Sequence, residues 1–422
     1  MRPDAEAEGL PTPAQLIRGV AAAPTFASLH DRDFRWFFFA SLSQNAAMNM
    51  QMLARGFLVF WLTGSYAALG TLALVHAVSM LAFSLYGGVL ADGRSKRMIL
   101  QLGQIAAALN AAAVATLLFA DLLRWEHLLI AAFAQGITSG LMMPARQAMP
   151  PEIVQPSLLQ NAVSLNTANM NVMRLLGPAL AGVLLAVTEA EWAYTIMTAL
   201  FALSIILLAR VPKRAPQPRS MSAANVIREL REGFSYIRRT PTVFSLLAIG
   251  FTTSLLGMPY IRLMPGFVAD VLNGDSAQLG ILMSLAGLGS LTGALALASL
   301  RSRRRGRLLL LSMVVMGLGL TAFSASTFFA LSIVLMFVVG IGEAGRQALN
   351  VVLIHQYADD AYRGRVMSVL MTQVGTMALG AFIVGLIAEV VGPQVGLGSF
   401  AVLLVLVAIV VHLFVPRVRE IQ

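Results

Sequence analysis

Cysteine is absent from the 422 residues, which excludes disulfides, thiolate metal sites, cysteine-ligated iron–sulfur clusters and a cysteine nucleophile. Lysine is nearly absent. Lys96 and Lys213 are the only two, and they follow Ser95 and Pro212, so no nucleotide loop of the G-x-x-x-x-G-K-[ST] type can form. The histidines His30, His76, His127, His355 and His412 are scattered without an H-E-x-x-H, leaving a catalytic zinc site unsupported. No enzyme chemistry, metal or cofactor is therefore expected. Charge is also scarce, at 12% of residues against roughly 25% in a typical soluble protein. With 58% hydrophobic residues, that scarcity excludes a water-soluble fold.

What the chain has instead is long apolar runs. They predict an all-α integral membrane protein with twelve transmembrane helices at 36–62, 67–90, 98–120, 127–149, 157–187, 191–209, 242–270, 277–299, 307–324, 327–350, 365–389 and 395–415, each long enough to cross a bilayer. The formal net charge of +10 raises the question of nucleic acid, but the placement of the basic residues answers against it. With a cytoplasmic N-terminus, 26 of the 30 Lys and Arg fall on the inner side, counting inner helix ends with their loops; Arg124 alone lies outside. This bias places both termini in the cytoplasm. Arg55, Arg174 and Arg262 remain within the spans.

Residues 1–35, with Asp4, Glu6 and Glu8, are too polar and too long to be a cleaved signal and form a cytoplasmic segment. The rest divides into a six-helix bundle over 36–211, a linker over 212–241, a second six-helix bundle over 242–416 and a cytoplasmic tail over 417–422. Turns such as Thr63 to Tyr66 and Asn273 to Ser276 are short and make neighbouring spans antiparallel. The linker carries an amphipathic helix, with Asn225 as N-cap and Val226, Ile227, Leu230, Phe234 and Ile237 at helical spacing among arginines. It reads as a helix on the inner membrane surface or as a partner-binding helix.

A shift of about 204 residues overlays Gly136 to Leu165 on Gly340 to Val369, and a shift of about 203 overlays Gly177 and Gly182 on Gly380 and Gly385. Helix pattern, basic charge and glycine spacing recur together, as in transporters built from parallel six-helix repeats, which puts a substrate path between the halves. The same glycines also permit close helix packing.

The tract from Gly87 to Arg97 resembles the loop signature G-x-L-A-D-R-x-G-R-K of the major facilitator superfamily at Gly88, Leu90, Ala91, Asp92, Lys96 and Arg97, and departs from it at Gly93 and Ser95. Gly177, Pro178 and Gly182 in GPALAG resemble that superfamily's exporter-associated motif on the fifth helix, with Ala181 replacing a glycine and Met173 at an upstream glycine position. Ala132 stands where the fourth helix usually has an arginine. The stretches starting at Leu58, Met143, Gly257 and Arg363 resemble the drug and siderophore exporter branch, which includes enterobactin-exporter-like and macrolide-efflux-like proteins and is also called transmembrane secretion effectors. The resemblance implies a major-facilitator fold in two pseudo-symmetric six-helix halves, in a bacterial inner membrane and functional as a monomer. It implies a secondary-active exporter of amphipathic small molecules by alternating access. It also implies that Asp92 holds the cytoplasmic side closed in the outward-open state.

Within the spans, charge is costly enough that each arginine needs a partner or a wet cavity. Arg55 and Arg262 lie at comparable depth on repeat-related helices. They form a cationic lining for an anionic or polyphenolic substrate, or they snorkel outward or pair with Asp270 or Glu389. Arg174, near the middle of its helix, lines the cavity or enters a buried ion pair. Gln51 and Asn169 stand out among amides that bind substrate or bridge helices. Methionines 48, 50, 52, 170, 173, 258 and 264 lie on the first, fifth and seventh spans, where flexible thioethers suit a site accepting several ligands. The driving force is a proton gradient, for which His76 and Glu343 are the titratable candidates; Glu343 also reads as a structural partner of Arg346, and His76 as a packing residue. An uncoupled facilitator, a lipid translocator and a non-transporting sensor or scaffold are the competing functions.

Overall fold

The structure, a computed structural model, describes residues 24–214, 223–300 and 304–421. Residues 1–23 of the N-terminal segment, 215–222 of the linker, 301–303 and the final residue of the tail lie outside it. Among the described residues there is helix and no strand. The N-terminal half contains α1 (Arg32–Thr63), α2 (Tyr66–Gly93), α3 (Lys96–Phe119), α4 (Trp125–Ala148), α5 (Leu159–Val187) and α6 (Ala190–Leu208). The linker helix is α7 (Ala223–Arg239). The C-terminal half contains α8 (Pro241–Gly257), α9 (Tyr260–Asp270), α10 (Ser276–Ser299), α11 (Arg305–Ala325), α12 (Phe329–Tyr357), α13 (Arg363–Met371), α14 (Gln373–Val391) and α15 (Pro393–Phe414).

Local chemistry sets the ends of these helices. Gly64, at φ +58°, closes α1, and the Ser65 side chain accepts from Ala68 N–H to open α2, so two residues reverse the chain. Asn273 at φ +49° and the Asp275 side chain, which accepts from Gln278 N–H, do the same before α10. Gly392 at φ +88° followed by Pro393 turns α14 into α15.

Four features differ from the sequence expectation. The seventh span is broken between α8 and α9, because Pro259 lacks an N–H and disfavours helical backbone before it. The eleventh is divided at Thr372, whose N–H and hydroxyl both bond the Val369 carbonyl in a tighter, 3₁₀-type step. Asn225 falls inside the first turn of α7 and not at its cap. Among the described residues, eleven helices are long and apolar enough to cross a membrane; α1, at 32 residues, is the most polar of the twelve spans and is not one of them. It resides in the bundle because Gln44, Asn45, Gln51 and Arg55 are buried against protein.

The linker helix joins the C-terminal half. Tyr236 stacks on Tyr362 at 4.3 Å between ring centroids, its hydroxyl accepts from Asp359 N–H at 2.9 Å, and Glu232 pairs with Arg365 at 2.9 Å.

The halves meet along α2 with α14, α5 with α10, and α9 with α1 and α2. These contacts follow the repeat. Gly182 of α5 lies against the start of α10, where an added Cβ would sit 2.5 Å from the Ser276 carbonyl oxygen; Gly385 of α14 lies against the start of α2, where a Cβ would sit 2.5 Å from the Tyr66 carbonyl oxygen. Ser276 and Ser284 donate to the Gly182 and Leu175 carbonyls across the same seam. All of this lies in the half of the bundle nearer the short turns. Toward the opposite, basic end the halves part: α13 packs on the linker helix α7 and on α8, α12 and α14 of its own half, and Leu85, Tyr86, Val89 and Leu90 of α2 are exposed.

The repeat register on the fourth helix of each half differs by one turn from the overlay of Gly136 on Gly340. Gly140 meets Met80 and Ser84 of α2 as Gly340 meets Ala286 and Ser290 of α10, a shift of 200 that also aligns Arg146 with Arg346. A helix resembles itself at four-residue steps, so glycine spacing leaves that register open.

Replacing Gly182 or Gly385 by valine is expected to pry the turn end apart, at a cost of about 1–3 kcal/mol from overpacking. The measurement is the thermal midpoint of purified protein together with alkylation of an Ala73→Cys reporter, which should fall and rise respectively.

Candidate functional site

The central feature is an ion pair that spans the two halves. Arg174 of α5 reaches across to Glu343 of α12, and the Tyr260 hydroxyl at the start of α9 donates to the other Glu343 oxygen at 3.1 Å. The Glu343 side chain is 3% exposed and Arg174 is 44% exposed, so the carboxylate is sunk in protein while the guanidinium rims open space. The sequence offered Arg346 as the partner of Glu343. Arg346 is close by but directs Nη2 to the Met258 sulfur at 3.9 Å, because Arg174 from the opposite half occupies the carboxylate.

Arg55 and Arg262 form a second layer. Each lies eight residues from the turn end of its helix, about 12 Å deep at 1.5 Å per residue. Arg55 is 6% exposed, with Nε and Nη2 unpartnered; the Nε of Arg262 is likewise buried and unpartnered. The Tyr194 hydroxyl is beside Arg55, and His76 is near both guanidinium groups. Gln51, one turn from Arg55 on the same face of α1, is 2% exposed with its amide nitrogen unpartnered. Among the described residues no carboxylate lies within ion-pair distance of Arg55 or Arg262.

The acids proposed as their partners are engaged elsewhere. Glu389 of α14 accepts from the Ser65 hydroxyl at 3.1 Å, Tyr66 N–H at 2.8 Å and Ala67 N–H at 3.2 Å, capping the N-terminus of α2 from the other half. Asp270 of α9 accepts from the Tyr66 hydroxyl at 3.1 Å. A carboxylate on the positive end of a helix is stabilised by its free N–H groups, so the two acids latch the turn end shut.

The remaining sequence candidates separate into bridges and free groups. Nδ1 of His76 lies 3.3 Å from the Ala132 carbonyl, which makes that nitrogen a donor to α4. Asn169, 3% exposed, donates to the Phe38 carbonyl at 3.5 Å and so joins α5 to α1. Gly177 packs on Asn49 of α1, and Pro178 is buried beside it. At the basic end Lys96 pairs with Glu152 and Arg97 donates to the Val211 carbonyl, both within the N-terminal half. Asp92 makes no ion pair among the described residues, and a Cβ at Gly88 would meet open space.

Sequence reasoning missed Tyr66, Tyr260 and Arg146, and took Arg346 only as the partner of Glu343. Both arginines belong to related tetrads, Ala145-Arg146-Gln147-Ala148 and Gly345-Arg346-Gln347-Ala348, which were the available signal.

Glu389→Gln keeps shape but removes the charge on the α2 terminus. It is expected to weaken the latch by about 1–2 kcal/mol and to raise alkylation of the Ala73→Cys reporter; Asp270→Asn should add to it. Equal alkylation rates in parent and variants would show that the latch does not hold this end.

Comparison with known proteins gives one family. The profile described as "Transmembrane secretion effector" matches residues 23–422. The chain is 24% identical to the multidrug efflux pump Tap of Mycolicibacterium fortuitum over 398 residues, 91% of this chain and 96% of the relative. It is 24% identical to the staphyloferrin A transporter of Staphylococcus aureus (strain NCTC 8325 / PS 47), covering 77% and 81%. It is 23% identical to the enterobactin exporter EntS of Escherichia coli O1:K1 / APEC, covering 92% of each. In fold it is similar to the nucleoside transporter NupG, at TM-score 0.73 and 14% identity over 90% of this chain and 98% of the other. It is also similar to a bacterial homologue of the lysosomal transporter Spinster, at TM-score 0.72 and 12% identity over 94% and 98%.

Proposed function

We propose that this chain, which belongs to the transmembrane secretion effector family of the major facilitator superfamily, is a secondary-active exporter of amphipathic, anionic small molecules that works by alternating access. The observation that carries the reading is the Arg174–Glu343 bridge between the halves, set among buried arginines that have no acidic partner among the described residues. The names of the relatives, two exporters of drugs or a siderophore and one siderophore transporter, support the direction and the class of cargo. The Lys and Arg bias supports a cytoplasmic basic end with both termini inside, in a bacterial inner membrane. The conformation described is then inward-open.

In the cycle we infer, cargo enters from the splayed basic end and its anionic oxygens meet guanidinium donors, which suit planar oxygen groups. Closure of the basic end needs the Asp92 loop to engage the opposite half, while the Glu389 and Asp270 latch on Tyr66 releases. Proton antiport is assigned to Glu343. In the outward-open state the carboxylate takes a proton and lets go of Arg174; on return it yields the proton inward as the pair re-forms. His76, tied to the Ala132 carbonyl, is a packing residue in this scheme.

One observation favours a second reading. The central path is strongly cationic, so its cargo carries negative charge, and an inside-negative potential drives each such charge outward by about 2.3 kcal/mol per 100 mV without a proton. An uncoupled facilitator would use that alone.

Counterflow of a labelled catecholate or carboxylate in proteoliposomes, with a pH gradient and a potential imposed separately, distinguishes the readings. Antiport predicts stimulation by the pH gradient at zero potential, loss of that stimulation in Glu343→Gln with counterflow retained, and little change in His76→Gln. A facilitator predicts response to the potential only, and a scaffold predicts no counterflow.

A further inference from the structure

Four arginines stand along the path in two repeat-related ladders, and two of them, Arg146 and Arg346, have no part in the cycle above. In the N-terminal half Arg146 of α4 directs Nη1 to the Asn45 amide oxygen at 3.4 Å and Nη2 to the Met48 sulfur at 3.9 Å, and leaves Nε buried and unpartnered. Met48, Gln51 and Arg55 follow one another at three- and four-residue steps on one face of α1, so the stripe continues from Arg146 up to Arg55. In the C-terminal half Arg346 of α12 directs Nη2 to the Met258 sulfur at 3.9 Å, is 4% exposed, and also leaves Nε unpartnered. Arg262 stands four residues beyond Met258.

A thioether is a weak acceptor, and a buried guanidinium without an anion is costly. No ion pair joins any of the four arginines to an acid among the described residues, and Glu343, the carboxylate nearest to Arg346, is bonded to Arg174. Such unused donors point to a ligand that supplies acceptors when it arrives. Along α1 the Met48 and Arg55 levels are about 10 Å apart.

We propose that Arg146 and Arg346 form a second anion-binding tier below Arg55 and Arg262, so that the preferred cargo is a small molecule with two or more anionic oxygen groups separated along its length. This rests on the reading of the chain as a carrier of anions, and adds to it the number of charges and the residues that sort them. The lower tier receives one group as the upper tier holds another, and the methionine between the tiers adapts to the apolar part of the cargo.

The test compares azelate, a linear dicarboxylate, with its monomethyl ester, by calorimetric titration of the purified full chain. The proposal expects azelate to bind about tenfold or more tightly than the ester. It expects Arg146→Gln and Arg346→Gln each to erase most of that preference while leaving affinity for the ester within about twofold, and Arg→Lys at either place to keep part of it. Equal affinity of the parent for both ligands overturns the proposal, as does a parallel weakening of both ligands in the Gln variants. The lysine variants and the parent comparison keep the test decisive where a Gln variant does not fold. Failure of the export reading is seen separately, as absence of counterflow in proteoliposomes by a parent that still discriminates the two ligands.

Discussion

Placing a guanidinium group in a hydrocarbon layer is tolerated only against protein, water or an anion, and that constraint organises the interior of this chain. Among the described residues five arginines, Arg55, Arg146, Arg174, Arg262 and Arg346, lie among the helices, with one buried carboxylate, Glu343, between them. A single acid cannot neutralise five bases. The chain resolves the imbalance by pairing Arg174 with Glu343 from the other half and leaving the remaining four with neutral or weak partners. Those four guanidinium groups keep unused donor capacity, and the helix most burdened with polar groups, α1, is the one that falls outside the eleven apolar candidates for a span.

The two acids that could have relieved the imbalance sit at the turn end instead. Glu389 and Asp270 hold the N-terminal residues of α2, so the charges that close one end of the bundle are those missing from its centre. Small residues let the same seam close tightly. Gly182 and Gly385 place backbone on backbone at symmetry-related crossings, where dispersion and serine-to-carbonyl bonds act without a side chain in the way.

The sequence made the architecture legible because hydropathy, turn residues and the sidedness of Lys and Arg are one-dimensional signals. Gly64-Ser65 and Asn273 to Asp275 mark reversals that the structure realises with positive φ and side-chain caps. The site was legible only in part. Arg55, Arg262 and Glu343 stood out as isolated charges within apolar runs, whereas Arg146 and Arg346 were near enough to the basic loops to be counted with them. The bond from Glu389 to Tyr66 joins residues 323 apart in the chain, and the choice of Arg174 over Arg346 by Glu343 depends on how the halves face each other. Neither can be read from spacing. The breaks at Pro259 and Thr372 were signalled by residue type but masked by apolar runs that continue through them.

The linker helix is fastened to the C-terminal half by its tyrosine stack, its hydrogen bond to Asp359 and its pair with Arg365. Any rigid-body displacement of that half relative to the other would therefore carry the helix with it. The chain length between Val211 and Ala223, twelve residues on, bounds how far those two points can stand apart, at most about 3.3–3.6 Å per residue. Shortening this connection, with every helix and every buried charge left intact, would lower that bound, and the proposed exchange between conformations would then be limited by a length of chain and by no contact at all.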